Sequence, residues 1–127
     1  MKKTLLALLA TSVLALADNT TVGATMKLME QGMEEVNKGF IYNDKVKLLN
    51  GIKTLENSNA IFTRVDVATF IPHNNKIQVT KNINENLSDS LSKFRKAVEN
   101  KKYTEATKLY ANVVNNCIAC HTIIRGW

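Results

Sequence analysis

Proline is almost missing from this chain. Pro72 is the only one in 127 residues, and only five residues are glycine. Such scarcity excludes a low-complexity Pro/Gly tract and leaves long stretches with nothing to interrupt a helix. No segment alternates apolar and polar residues with a period of two, so the pattern is helical throughout. Cysteine is equally scarce: Cys117 and Cys120 are the only two, and His73 and His121 are the only histidines. Aromatic residues make up 6% of the chain. The lysines are spread along it and not interleaved with aromatics, which argues against nucleic-acid binding. There is no internal repeat and no sign of a second domain, as the length suits a single one.

The N-terminus reads as a targeting segment. Met1-Lys2-Lys3 supplies a positive start, Thr4 to Leu16 is an apolar run broken only by Thr11 and Ser12, and Ala15-Leu16-Ala17 is a small-x-small site. This is the three-part pattern of a secretory signal peptide. The run is too short for a membrane span, which needs about 20 apolar residues. Residues 1–17 are therefore expected to be cleaved, leaving 18–127 as one exported domain without a span. The start looks bacterial, so the expected compartment is the periplasm. The full chain carries 17 Lys+Arg against 11 Asp+Glu. Without Lys2 and Lys3 the balance is 15 against 11, a net charge of +4. A weakly basic face of this kind suits a solvated surface and can also steer an acidic partner.

Four helices follow from the spacing of apolar residues. The first spans about Thr20 to Tyr42, with Val22, Met26, Met29, Met33, Val36 and Phe40 in a stripe down one face. Gly39 and the pair Asn43-Asp44 mark its end and the cap of the next. The second begins near Lys45 with Val46, Leu49, Ile52 and Leu55 inward, and Pro72-His73-Asn74-Asn75 is a clear break after it. The third runs from about Lys76 to Glu99 on Ile83, Leu87, Leu91, Phe94 and Val98. The last starts near Tyr103 and carries Ala106, Tyr110, Val113, Cys117, Cys120 and Ile124 on one face. Four amphipathic helices with short connections predict an all-α, antiparallel up-down-up-down bundle.

Chemistry concentrates in Cys117-Ile118-Ala119-Cys120-His121. Cys-x-x-Cys-His is the pattern of c-type haem attachment. Each thiol adds to one haem vinyl group to make a thioether, and the adjacent imidazole reaches the iron from the same side. On a helix these positions fall at i, i+3 and i+4, on one face. Three other readings compete. Export allows the two cysteines to form a disulfide. A thioredoxin-like pair would open a helix within a βαβ unit, whereas this motif closes a long helix in a chain without strands. A structural zinc site usually has four ligands, and only His73 remains to complete the set.

Candidates for the far side of the iron are Met26, Met29, Met33, His73 or no ligand. A methionine stripe is ordinarily core packing, and a loop histidine is ordinarily solvated. In the expected topology the start of the first helix and the end of the last share one end of the molecule. Met26 lies about six residues into the first helix, roughly 9 Å along it. His121 lies six residues before the C-terminus, at a similar height. Met29 and Met33 fall roughly 4.5 and 10 Å deeper. Met26 is thus the best-placed methionine, although height alone does not exclude His73. His/Met ligation raises the potential and suits electron transfer, while an open sixth position admits a diatomic gas.

A C-terminal Cys-x-x-Cys-His on the last of four helices, behind a signal peptide, resembles the class II cytochromes c, the cytochrome c′ family. The likeness covers the mature chain in architecture. It is sharpest at Cys117 to Arg125 and along Thr25-Met26-Lys27-Leu28-Met29 through Met33 to Lys38-Gly39. The resemblance implies one covalent haem c near the end of the last helix, held by Cys117 and Cys120 with His121 as proximal ligand. It implies that Met26 faces the distal side, as an iron ligand in low-spin members and as a non-ligating residue in high-spin, gas-binding ones. It also implies that Arg125 lies by the haem on the proximal side; the alternative is that Arg125 simply favours the negative end of the last helix. Many members carry an arginine one turn before the distal residue, where this chain has Val22. Trp127 either packs on the haem edge or stands in solvent.

The expected function is single-electron transfer between redox partner proteins, with nitric oxide or carbon monoxide binding as the alternative. No distal acid–base pair for peroxide cleavage is evident, so an enzyme is not expected. Relatives of this kind often form homodimers through their first two helices, and the polar outer faces here leave that state open.

Overall fold

In the computed structural model the backbone is described at residues 2–64, 71 and 73–125, and the side chains at 21–63, 71 and 73–125. Among these residues there are four α-helices and no strand: α1 (Lys2–Ile41), α2 (Lys45–Arg64), α3 (Ile77–Glu99) and α4 (Tyr103–Arg125). They pack as a bundle around Ile52, Leu91, Phe94, Val98 and Val113, which are fully or almost fully buried. No helix among the described residues is long and apolar enough to cross a membrane.

Helix α1 begins at Lys2, well ahead of the Thr20 at which the apolar stripe starts. The leucines and alanines of 4–17 are strong helix formers, and no glycine or proline separates them from Val22. The side chains around Ala15-Leu16-Ala17 lie outside the described residues, as do Pro72 and Trp127.

The two short turns share one geometry. Asn43 (φ 53°) and Lys101 (φ 59°) are both left-handed. The next residue reaches back in each case, Asp44 N–H to Gly39 O at 2.8 Å and Lys102 N–H to Ala97 O at 2.8 Å. These bonds satisfy carbonyls that the helix end leaves open. Asp44 then caps α2 by accepting from Lys47 N–H at 2.9 Å. The Lys45 ammonium donates to Glu99 O at 3.0 Å and ties the two turns together at one end of the molecule.

Neighbouring helices pair in register. Gly32 lies against Gly51 and Leu55, and Gly39 lies against Leu48, so residue numbers rise along α1 as they fall along α2. A Cβ placed on Gly51 would stand 2.8 Å from Gly32 O and Val36 N, which shows how closely these backbones meet. Between α2 and α3, Glu56 pairs with Arg95, and the Asn59 amide donates to Asn84 O at 3.0 Å and Ser88 Oγ at 2.7 Å. Between α3 and α4, the Phe94 and Tyr110 rings lie 5.7 Å apart.

The α1–α4 seam is different. Along the described lengths no Cα of α1 comes within 8 Å of one in α4. Side chains span the gap instead: Phe40 and Tyr110 are 5.6 Å apart at their centroids, and the Tyr110 hydroxyl donates to Asn37 Oδ1 at 2.6 Å.

One inward residue of α2 differs from the expected set. Val46 is 68% exposed, whereas Leu48 is 2% exposed and belongs to the core. Leu48 fills the space that Gly39 leaves open on α1. Two residues along a helix is about 200° of rotation, so seating Leu48 turns Val46 outward.

Candidate functional site

Burial falls off along α4. Ala106 and Val113 are fully buried. From Cys117 to Ile124 every residue is half-buried or exposed. The run of Cys117, Cys120, His121 and Ile124 therefore presents a half-buried, mostly apolar strip that begins fourteen residues into the helix. Cys117, Cys120 and His121 share this strip because they stand at i, i+3 and i+4.

Both thiols are free. Burial pushes each above the ordinary thiol range, and for Cys117 the neighbouring Cys120 adds to the effect. That is the opposite of a redox-active pair, whose thiolate is stabilised at a helix N-terminus or beside a cation. Among the described residues no three His, Cys, Asp or Glu side chains gather where they could hold a metal ion, so His73 does not complete a zinc site with the motif. His73 is exposed, with φ 62°, in the loop before α3.

The direction of these thiol displacements has a measurable consequence for the chain before any modification. Burial disfavours the thiolate in the folded state, so the unfolded state ionises first as pH rises. This contribution to stability is intact below the ordinary thiol range and is lost as pH climbs through and above it. At neutral pH iodoacetamide is expected to alkylate the folded chain several-fold more slowly than the urea-unfolded chain, counted by mass spectrometry. Equal or faster reaction of the folded form would remove the argument against a reactive dithiol.

Met26 is half-buried on α1. Next to it Thr25 is fully buried, its hydroxyl donating to Thr21 O at 2.7 Å. Met29 and Met33 are partly buried against the core. The Asn37–Tyr110 bond gives a common origin for measuring along α1 and α4. Met26 precedes Asn37 by eleven residues, and His121 follows Tyr110 by eleven. By residue count each stands about 16 Å along its own helix from the bond. Eleven residues are close to three whole turns, so each keeps the face of its reference residue. Met29 and Met33 are only eight and four residues from Asn37, well short of the height of His121.

Arg125 is exposed in the last turn of α4, where a cation favours the negative helix end. Val22, at the position where an arginine was noted as missing, is half-buried. Asn37 is a polar residue at the edge of the apolar stripe, next to Val36, and nothing in its neighbours marks it. The one available signal was Tyr110 itself, since a tyrosine within an apolar stripe usually finds a partner for its hydroxyl.

A scan of protein-family models, a search of curated proteins and a search of solved structures each find no match to this chain.

Proposed function

We propose that this chain is an exported c-type cytochrome with one covalent haem, built as an antiparallel up-down-up-down bundle and serving as a single-electron carrier in the periplasm. The observation that carries the reading is that Cys117, Cys120 and His121 share one half-buried strip of α4; Met26 and His121 are each eleven residues from the bond that joins their helices. The donor set fits the group. Two protonated, half-buried thiols and an imidazole share one face of α4, beside a seam where α1 and α4 stand apart.

In this reading Cys117 and Cys120 would hold the haem through thioethers, and His121 and Met26 would offer an imidazole and a thioether to the iron. Bound haem supplies the one-electron iron couple, and His/Met ligation sets it in the higher range suited to electron transfer. Met29 and Met33 pack against the bundle core. Arg125 stands at the proximal end. The redox partners are other proteins, met across a mildly basic surface.

Absorption spectra of the ferric and ferrous protein test this directly. The expected result is a low-spin ferric spectrum with a sulfur-to-iron band toward the far red. Met26→Ala is expected to abolish that band and leave high-spin iron. A wild-type ferrous form that is already high-spin and binds carbon monoxide readily would instead assign a five-coordinate gas-binding protein.

A further inference from the structure

The helices form two hairpins with unlike seams. In one, α1 and α2 meet at the glycines, where a Cβ would touch backbone. In the other, α3 and α4 share the tight turn at Lys101 and the Phe94–Tyr110 contact. The hairpins join through α2 and α3, by Glu56–Arg95 and by the Asn59 amide. On the opposite side, between α1 and α4, the backbones do not approach. On that side the hairpins are joined by side chains alone, with Phe40 stacked on Phe94 and set against Tyr110.

The Asn37–Tyr110 bond crosses the same side at an exposed position. Its length is 2.6 Å, and the Tyr110 ring behind it is held against Phe40 and Phe94. The hydroxyl is the one polar end of an aromatic cluster that reaches from α4 to α1. Met26 and His121 stand on the two helices at equal distance from it. Whatever holds α1 to α4 at this level sets how far apart those two side chains stand three turns away.

We infer that Asn37 and Tyr110 are a positioning pair, a strap across the α1–α4 seam that determines whether Met26 closes onto the iron. The inference rests on the haem reading given above. The strap acts through Met26 and takes no part in holding the haem to the chain. With the hydroxyl present the hairpins stay closed and the thioether competes well for the sixth position. Without it the seam loosens, Met26 spends more time away, and an external ligand gains access.

The test is the carbon monoxide affinity of the ferrous haem-loaded protein, where the ligand must displace Met26. Tyr110→Phe keeps the ring and removes only the hydroxyl. It is expected to raise the affinity roughly fivefold, the equivalent of one ordinary hydrogen bond, and to weaken the far-red band. Asn37→Ala should behave the same way, while Asn37→Asp, which retains an acceptor, should stay close to wild type. In a Met26→Ala background Tyr110→Phe should add nothing, because there is no thioether left to position. A purely structural role would change both backgrounds alike. Wild-type affinity in Tyr110→Phe, or an equal rise in the Met26→Ala background, overturns the strap while leaving the haem reading intact. Failure of the haem reading has a separate mark: no haem on the denatured polypeptide, or a spectrum that Met26→Ala does not change. Either mark also overturns the strap.

Discussion

A chain with alanine at both Cys117 and Cys120 will release all its haem into acidified organic solvent, whereas the native polypeptide will keep it through the same extraction. The two outcomes differ completely because thioether bonds survive denaturation and axial ligation does not. Once the bundle unfolds in the acidified solvent, its side chains are no longer held at the iron and no coordinate bond retains it. The single variants should be informative in a graded way. In the haem reading Cys117→Ala leaves Cys120 beside His121, so one thioether is expected to retain haem on the chain. Extraction of haem from the native protein would sink the attachment reading outright, independently of spin state or ligand identity.

Phe94→Ala is expected to be the most damaging single change in the packed half of the bundle. The ring is fully buried, stacks on Phe40 at 6.0 Å and 13°, and lies 5.7 Å from Tyr110. Removing such a ring costs the transfer energy of its atoms plus the cavity left behind, about 4 kcal/mol. In a domain of this size that lowers the melting temperature by about 15–20 °C, read by circular dichroism on heating. The three rings come from α1, α3 and α4, so a cavity at Phe94 touches both hairpins at once. A loss below about 1 kcal/mol would mean that the cluster packs far more loosely than these distances indicate.

Much of the architecture was legible because helix ends and apolar stripes have local causes. Asn43-Asp44 announced the first turn, and the structure puts a left-handed residue and a side-chain cap there. The third stripe, Leu87 through Val98, is buried as its spacing predicts. The stripe of α4 was legible too, including the face shared by Tyr110, Cys117 and Cys120. What stayed hidden depends on a partner elsewhere in the chain. Val46 and Leu48 are both apolar, and only the open backbone at Gly39 decides which turns inward. The polar residues Ser58, Asn59 and Thr80 are buried, yet nothing in their neighbours distinguishes them from surface residues. The motif itself could be read from five residues. The Asn37–Tyr110 bond joins residues 73 apart, so no local pattern announces it.

The amide of Asn59 carries an implication for how this chain avoids the wrong structure. Its Nδ2 donates to Asn84 O and Ser88 Oγ, while its Oδ1 is buried with no hydrogen-bond partner among the described residues. A buried amide with one satisfied end contributes little to net stability, since the desolvation cost of the other end offsets it. Its effect lies in the competing arrangements. If α3 slid by three residues against α2, Leu87 and Leu91 would stand where Asn84 and Ser88 now meet the amide. Leucine at position 59 would tolerate that slide; asparagine makes it expensive. The residue therefore widens the energy gap between the native alignment and its nearest misfolded neighbour.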